Sequence, residues 1–300
     1  MSLLENCIIV SIIIILILFF IFFPLSEGNF NTSTYTNFIS RIKKSTEFDD
    51  KETSEIINDL SNCVKDERII KIFSTTQKPV EWNNYKKKII KKKIINKGSK
   101  IYKEKKEFLL NLEKEYGIPK EILISILGIE SRYGKSKGNF NTLNSLYTLS
   151  FYNFRRTTFF TEELYAFLIL CKKRDMERKK ITGSYVGALG CSKFMPSNYV
   201  KYAIDLDLFN NLEDCCIAIC RFFNDKKWDC TTSILVKKDK GLCFKFEDIQ
   251  VSEHLNDILK QENKEDMCGT INLDCILQYN YSTKYAMAVY FLGEHIRNYS

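Results

Sequence analysis

Between Ile118 and Gly134 the chain reads IPKEILISILGIESRYG, and apolar side chains fall on nearly every face of the helix this segment spells: Ile122, Leu123, Ile124, Ile126, Leu127 and Ile129. A helix apolar all round is stable in water only when other elements surround it. The segment therefore predicts the central helix of a helical body. Pro119 suits a first turn, Glu121 lies near the positive end of the helix, and Gly134 is placed to stop it in a left-handed conformation. Glu130 is the exception to the apolar pattern. In the last turn it faces the negative end of the helix dipole and loses hydration, and both effects disfavour its charged form. A carboxyl with a raised pKa is what general acid catalysis near neutral pH requires. The competing reading pairs Glu130 with Arg132 or another surface cation.

The rest of the chain agrees with a helical body. Phe38, Ile39 and Ile42, then Ile56, Ile57 and Leu60, then Ile69, Ile70 and Ile72 recur at helical spacing. Only 4 Pro and 12 Gly occur in 300 residues, and no fixed-period repeat is present, which excludes collagen, propellers and solenoids. Two histidines, His254 and His295, are too few for a histidine-based metal or relay site, so chemistry here rests on carboxylates or thiols.

From Ile8 to Phe23 the chain reads IIVSIIIILILFFIFF, which addresses it to a membrane either as an anchor or as a cleaved signal within residues 1–28. Both predict export of the remainder. The loop charges do not add to this, since Glu5 precedes the run and Arg41, Lys43 and Lys44 follow it. Residues 29–37 are polar and read as a linker. Cys7 precedes the run, the wrong side for a lipid-modified cysteine at a cleavage site. Ten further cysteines permit disulfides in an exported body, with pairing left open. The Cys215, Cys216, Cys220 and Cys230 cluster fits no zinc spacing and reads as small buried hydrophobes. Eleven lysines between Lys86 and Lys106 suit a solvated face better than a nucleic-acid stripe, because isoleucines are interleaved among them and Tyr102 is the one aromatic residue.

Four ordered motifs carry a resemblance: GIESRYG at 128–134, LSFYNFRR at 149–156, GSYVGALGCSKFMPSNY at 183–199 and YNYSTKYAMAVYFLG at 279–293. Together they resemble the membrane-bound lytic murein transglycosylase B family. Weaker matches at 81–88 and 116–122 extend it across nearly the whole exported body, with 231–270 the least matched. The resemblance implies a mainly α, lysozyme-like α+β fold. Its helical part would span 38–115, its catalytic core 116–230 and 276–300, and a small β-containing insertion 231–275. It further implies cleavage of the MurNAc–GlcNAc β-1,4 bond of peptidoglycan without water, leaving a 1,6-anhydromuramoyl end, with Glu130 as acid and then base. Tyr85, Arg155, Arg156, Ser184, Lys193, Tyr279, Asn280 and Tyr285 match the positions that line the sugar and peptide subsites. No cofactor or metal is implied, and the expected state is a periplasmic monomer, soluble or anchored through 8–23.

The chain departs from the family pattern at three places. Lys193 stands where Gln is usual, and a nearby ammonium would lower the pKa of Glu130. Phe159 and Phe222 replace tyrosines. The stretch AIDLDLFNNLED at 203–214 lacks the glycine turn of a calcium loop, so no bound calcium is expected. The rival reading is a catalytically impaired peptidoglycan-binding protein on the same fold. A net charge of +8 suits a polyanionic wall in either case.

Overall fold

Fourteen helices and four strands of two or three residues make up the computed structural model over the described residues, 29–75, 80–152 and 156–299. Six helices come first: α1 (Thr32–Lys44), α2 (Asp50–Ser61), α3 (Glu67–Ser74), α4 (Trp82–Ile89), α5 (Lys92–Glu104) and α6 (Lys106–Tyr116). The apolar helix predicted from the sequence is α7 (Lys120–Ser131). It is followed by β1 (Phe140–Asn141), α8 (Thr142–Phe151), α9 (Thr157–Lys173), β2 (Thr182–Gly183), α10 (Pro196–Tyr202) and α11 (Leu212–Asp225). The chain ends with β3 (Leu235–Lys237), α12 (Ile249–Gln261), β4 (Met267–Gly269), α13 (Ile271–Tyr279) and α14 (Thr283–Asn298).

Helix α7 is central, as its all-round apolarity requires: every residue from Glu121 to Gly128 is buried. It packs against α14 above all, and against α5, α6 and α11. One continuous hydrophobic core runs from Phe38 to Ile296, so the N-terminal helices share it with α7. The two strand pairs are antiparallel. β1 pairs with β2, Phe140 opposite Gly183, and β3 with β4, Val236 opposite Cys268.

Two expectations change. The polar stretch 29–37 is not a linker throughout, because α1 begins at Thr32, with the Asn31 side chain accepting the Thr34 N–H at 2.9 Å. Phe30 packs on Tyr35, Tyr147, Phe151 and Tyr152, and the Asn31 N–H bonds to the Phe151 carbonyl, which ties the segment to α8. Helix α7 also stops before Gly134. Arg132 at φ 51° and Tyr133 at φ 60° already adopt the left-handed conformation, and Gly134 continues it at φ 78°. Tyr133 holds this turn: its ring is buried against Gly98 and Gly128, and its hydroxyl donates to the Ile94 carbonyl at 2.8 Å. Buried contacts thus offset the steric cost of a left-handed non-glycine residue.

The insertion after α11 holds β3, β4 and α12, and the Cys243–Cys268 disulfide crosslinks it. It reaches back to α4 through Glu262, which accepts from the Trp82 indole at 2.7 Å and pairs with Lys86. A second disulfide joins Cys191 to Cys215, so Cys215 is not simply a buried thiol. Cys216 and Cys220 are buried thiols on α11, and burial pushes Cys216 up to about 12. Among the described residues no helix is long and apolar enough to cross a membrane. The segment 8–23 and Arg155 lie outside the described residues.

Candidate active site

Glu130 occupies the last turn of α7, half-buried, with its carboxyl closely enclosed. Loss of hydration raises its pKa from the usual 4.5 to about 7. The Tyr285 hydroxyl and the Lys193 ammonium oppose that rise, and no second carboxylate contributes to it. Among the described residues no ion pair joins Glu130 to Arg132 or to another cation, which counts against the surface-pair reading. The carboxyl is therefore poised to exist in both protonation states near neutral pH.

The surrounding groups come from four separate parts of the chain. Tyr85 on α4 is half-buried and stacks on Trp82 with ring centres 6.4 Å apart. Tyr279 ends α13 and donates its hydroxyl to the Ser192 carbonyl, while Tyr285 lies in the first turn of α14. The rings of Tyr279 and Tyr285 are nearly parallel, at 4° and 6.5 Å. All three tyrosines have raised pKa values, mainly from burial and further from the charge of Glu130. The buried Tyr285 hydroxyl lies outside strict hydrogen-bond geometry with any group, yet close enough to Glu130 that its O–H favours the ionised carboxylate. Phe222, one of the two tyrosine replacements, lies behind this group with its ring 5.1 Å from that of Tyr279. That position is core, where a hydroxyl would need a partner.

Lys193 reaches the site from a tightly constrained loop. Gly183, Gly187 and Gly190 lie in it, and a Cβ at Gly190 would lie 2.6 Å from the Leu208 backbone. Leu189 bridges Phe194 through two backbone hydrogen bonds, and the Cys191–Cys215 disulfide anchors the loop to α11. Lys193 itself is left-handed at φ 53° and half-buried. Burial lowers its pKa and the charge of Glu130 raises it, so the two groups feel each other through space.

Other residues named from the sequence are placed differently. The Ser184 hydroxyl accepts the Ala188 N–H at 3.0 Å, which closes the turn of this loop. Asn280 is exposed just beyond α13. Arg156 is exposed and left-handed at the start of α9, with its guanidinium 4.2 Å from the centre of the Phe159 ring. The sequence reading missed Glu163. Buried on α9, it accepts the Ser197 N–H at 2.9 Å and the Ser197 hydroxyl at 2.6 Å, which caps α10 and holds the segment after Lys193. Its only signal was one acidic residue among the apolar positions of that helix.

The acidic residues of 203–214 have other work. Asp205 pairs with Arg221, Asp207 accepts the Phe209 and Asn210 N–H groups, and Asp214 accepts the Asp207 N–H. With its oxygens so engaged and no glycine turn, this stretch does not fit a calcium ion. Among the described residues no cluster of His, Cys, Asp or Glu is arranged to hold a metal.

A central apolar helix ending in one enclosed glutamate, walled by tyrosines, defines a lysozyme-like architecture built around a single carboxyl. The chain belongs to the family described as the Transglycosylase SLT domain, whose model matches residues 31–294. It is 27% identical to the membrane-bound lytic murein transglycosylase B of Escherichia coli K12, over 90% of this chain and 84% of that protein. Among solved structures it is similar to the soluble lytic transglycosylase SltB1 of Pseudomonas aeruginosa, with a TM-score of 0.73, 25% identity, and coverage of 87% of this chain and 97% of that one. The Escherichia coli lytic transglycosylase Slt35, solved in complex with bulgecin A, matches with a TM-score of 0.73 and 26% identity over 89% of this chain and 94% of that one.

Proposed function

We propose that the chain is a peptidoglycan lytic transglycosylase in which Glu130 alone carries the proton transfers. The observation that carries this reading is the Glu130 carboxyl raised to about 7 with no second carboxylate acting on it, in a chain of this family. Two-carboxylate glycosidases need a nucleophile or a base opposite the acid. With one carboxyl, the nucleophile comes from the substrate. Protonated Glu130 gives its proton to the glycosidic oxygen as the C1–O bond breaks. The resulting carboxylate then takes the proton from the muramoyl C6 hydroxyl as that oxygen bonds to C1. Glu130 ends protonated, and no water is consumed.

The site offers support for each demand. Tyr85, half-buried beside Glu130, offers a flat face and a hydroxyl suited to a sugar ring, while Tyr279 and the buried Tyr285 form the wall behind the carboxyl. Tyr285 and Lys193 favour the ionised form of Glu130, which forms between the two transfers. The positive charge developing at C1 falls to the substrate acetamido group and to this carboxylate. Arg156 and Asn280, both exposed, suit outer subsites, and Arg155 is assigned there from the family motif alone. Residues 8–23 carry the body across a membrane and, if retained, anchor it as a monomer facing the wall.

The test is mass spectrometry of muropeptides released from purified sacculi by the full chain, beside Glu130→Gln. Anhydromuramoyl products from the wild type alone are expected. Reducing-end products would mean hydrolysis, and product from Glu130→Gln would remove Glu130 from its role.

A further inference from the structure

The lysines of 86–106, read from the sequence as a solvated face, are not evenly spread in space. Lys88, Lys91, Lys93 and Lys97 converge with Arg132 and Lys135 on one cleft of about 570 Å³. No acidic residue lines it, and none of these six cations has a carboxylate in ion-pair reach among the described residues. Elsewhere lysines do find partners: Lys86 pairs with Glu262 and Lys105 with Glu213. The floor of the cleft is apolar, formed by Ile89, Ile94, Ile129 and Tyr133. Lys97 lies across the Tyr133 ring at 5.2 Å and donates to the Arg132 carbonyl at 3.2 Å.

The left-handed pair Arg132 and Tyr133 turns the chain so that the cation at 132 rims this cleft. Backbone strain of this kind persists where buried contacts or function over-determine it. Burial and the proximity of Lys135 both lower the pKa of Lys97, a repulsion that a bound anion would relieve. Gly128, Ile129, Arg132 and Tyr133 occupy one flank of the end of α7, and Glu130 lies off that flank. The cleft is thus a neighbour of the candidate active site and not part of it. Its concavity suits a discrete ligand over a flat bilayer, and ammonium groups around an apolar floor suit a short peptide with small apolar side chains and free carboxylates.

We infer that this cleft is a subsite for the acidic stem peptides attached to the glycan strand cleaved at Glu130. The inference rests on the proposed function for its ligand, and its test has an arm that does not. In that arm a synthetic stem tetrapeptide with free carboxylates is titrated into the full chain and into Lys91→Gln/Lys93→Gln/Lys135→Gln by calorimetry. The three lysines are exposed, so the variant is expected to fold normally. Binding about tenfold weaker in the variant, with a salt dependence that the variant loses, is the expected result. Equal affinity, or no binding by the wild type, overturns the proposal. In the second arm release of anhydromuramoyl product is compared on glycan strands with and without stem peptides. Preference for peptide-bearing strands should vanish in the variant while its rate on naked strands is retained. A wild type that cleaves neither substrate refutes the proposed function, and the titration still decides the subsite. Loss of binding to phosphatidylglycerol vesicles by the variant, with peptide affinity unchanged, would assign the cleft to a membrane surface instead.

Discussion

Replacing Lys193 by Gln is the sharpest probe of how Glu130 is tuned. Lys193 is half-buried, lies beyond ion-pair distance of Glu130, and lowers its pKa. A unit charge just beyond the roughly 4 Å ion-pair limit contributes on the order of 1 kcal/mol where water screens it. That is about 0.7 of a pH unit, with about 0.5–1 spanning the plausible screening. The sign follows from the chemistry. The acid step needs protonated Glu130, so kcat/KM falls as pH rises through a pKa of about 7. Removing the cation raises that pKa and moves the alkaline limb upward. At pH 8 the protonated fraction rises by a factor of about 3–5. The assay is kcat/KM for release of anhydromuramoyl product between pH 5 and 9, for both proteins, at fixed ionic strength. An alkaline limb that stays in place or moves down would refute the electrostatic argument. A rise in KM with an unmoved limb would make Lys193 a substrate contact only.

Tyr285→Phe removes a buried hydroxyl that favours ionised Glu130. The alkaline limb should again move upward, with folding stability changed by no more than about 1 kcal/mol in thermal melts, because the contact with Glu130 falls outside strict hydrogen-bond geometry. Glu130→Gln should be inactive yet more stable at high pH. A carboxyl whose folded pKa of about 7 lies above its unfolded value contributes fully below about pH 4.5 and loses that contribution as pH rises through 7. The variant should therefore gain about 1–2 kcal/mol at pH 8.5, after discounting for solvent access, and nothing at pH 4.5. Denaturant melts at the two pH values check this, and an equal gain at both would contradict it. Glu163→Ala strips α10 of both contacts to Ser197 and should cost about 2 kcal/mol, with Lys193 loosened. The unfolding midpoint in urea reads the cost, and a pH profile like that of Lys193→Gln would show the loosening.

The parts of this protein legible in its sequence are those that depend on local chemistry. A helix apolar on every face had to be central, and α7 is. A lone glutamate in its last turn was open to desolvation or to a surface ion pair, and Glu130 is desolvated. The motif order also carried the family, with the tyrosines and Lys193 named from it. The sequence misread residues whose setting is made by distant partners. The polar composition of 29–37 concealed a cap at Asn31 and a ring at Phe30 that finds its neighbours only on α8. Gly134 is the obvious helix stop, but contacts of Tyr133 with Gly98 and Ile94 move the stop to Arg132. Cysteine spacing says nothing of the Cys191–Cys215 pairing, which depends on a loop folding onto α11.

The same division separates the two regions of function. Residue type and helix position marked Glu130 as a candidate acid, because a helix apolar on every face must be packed around on all sides. Only tertiary structure decided which groups face it, since Tyr85, Lys193, Tyr279 and Tyr285 arrive from elements far apart in the chain. It also decided that a run of lysines, compositionally ordinary, closes with Arg132 and Lys135 around one apolar floor. Coulomb interactions depend on distance in space, and sequence separation does not encode that distance.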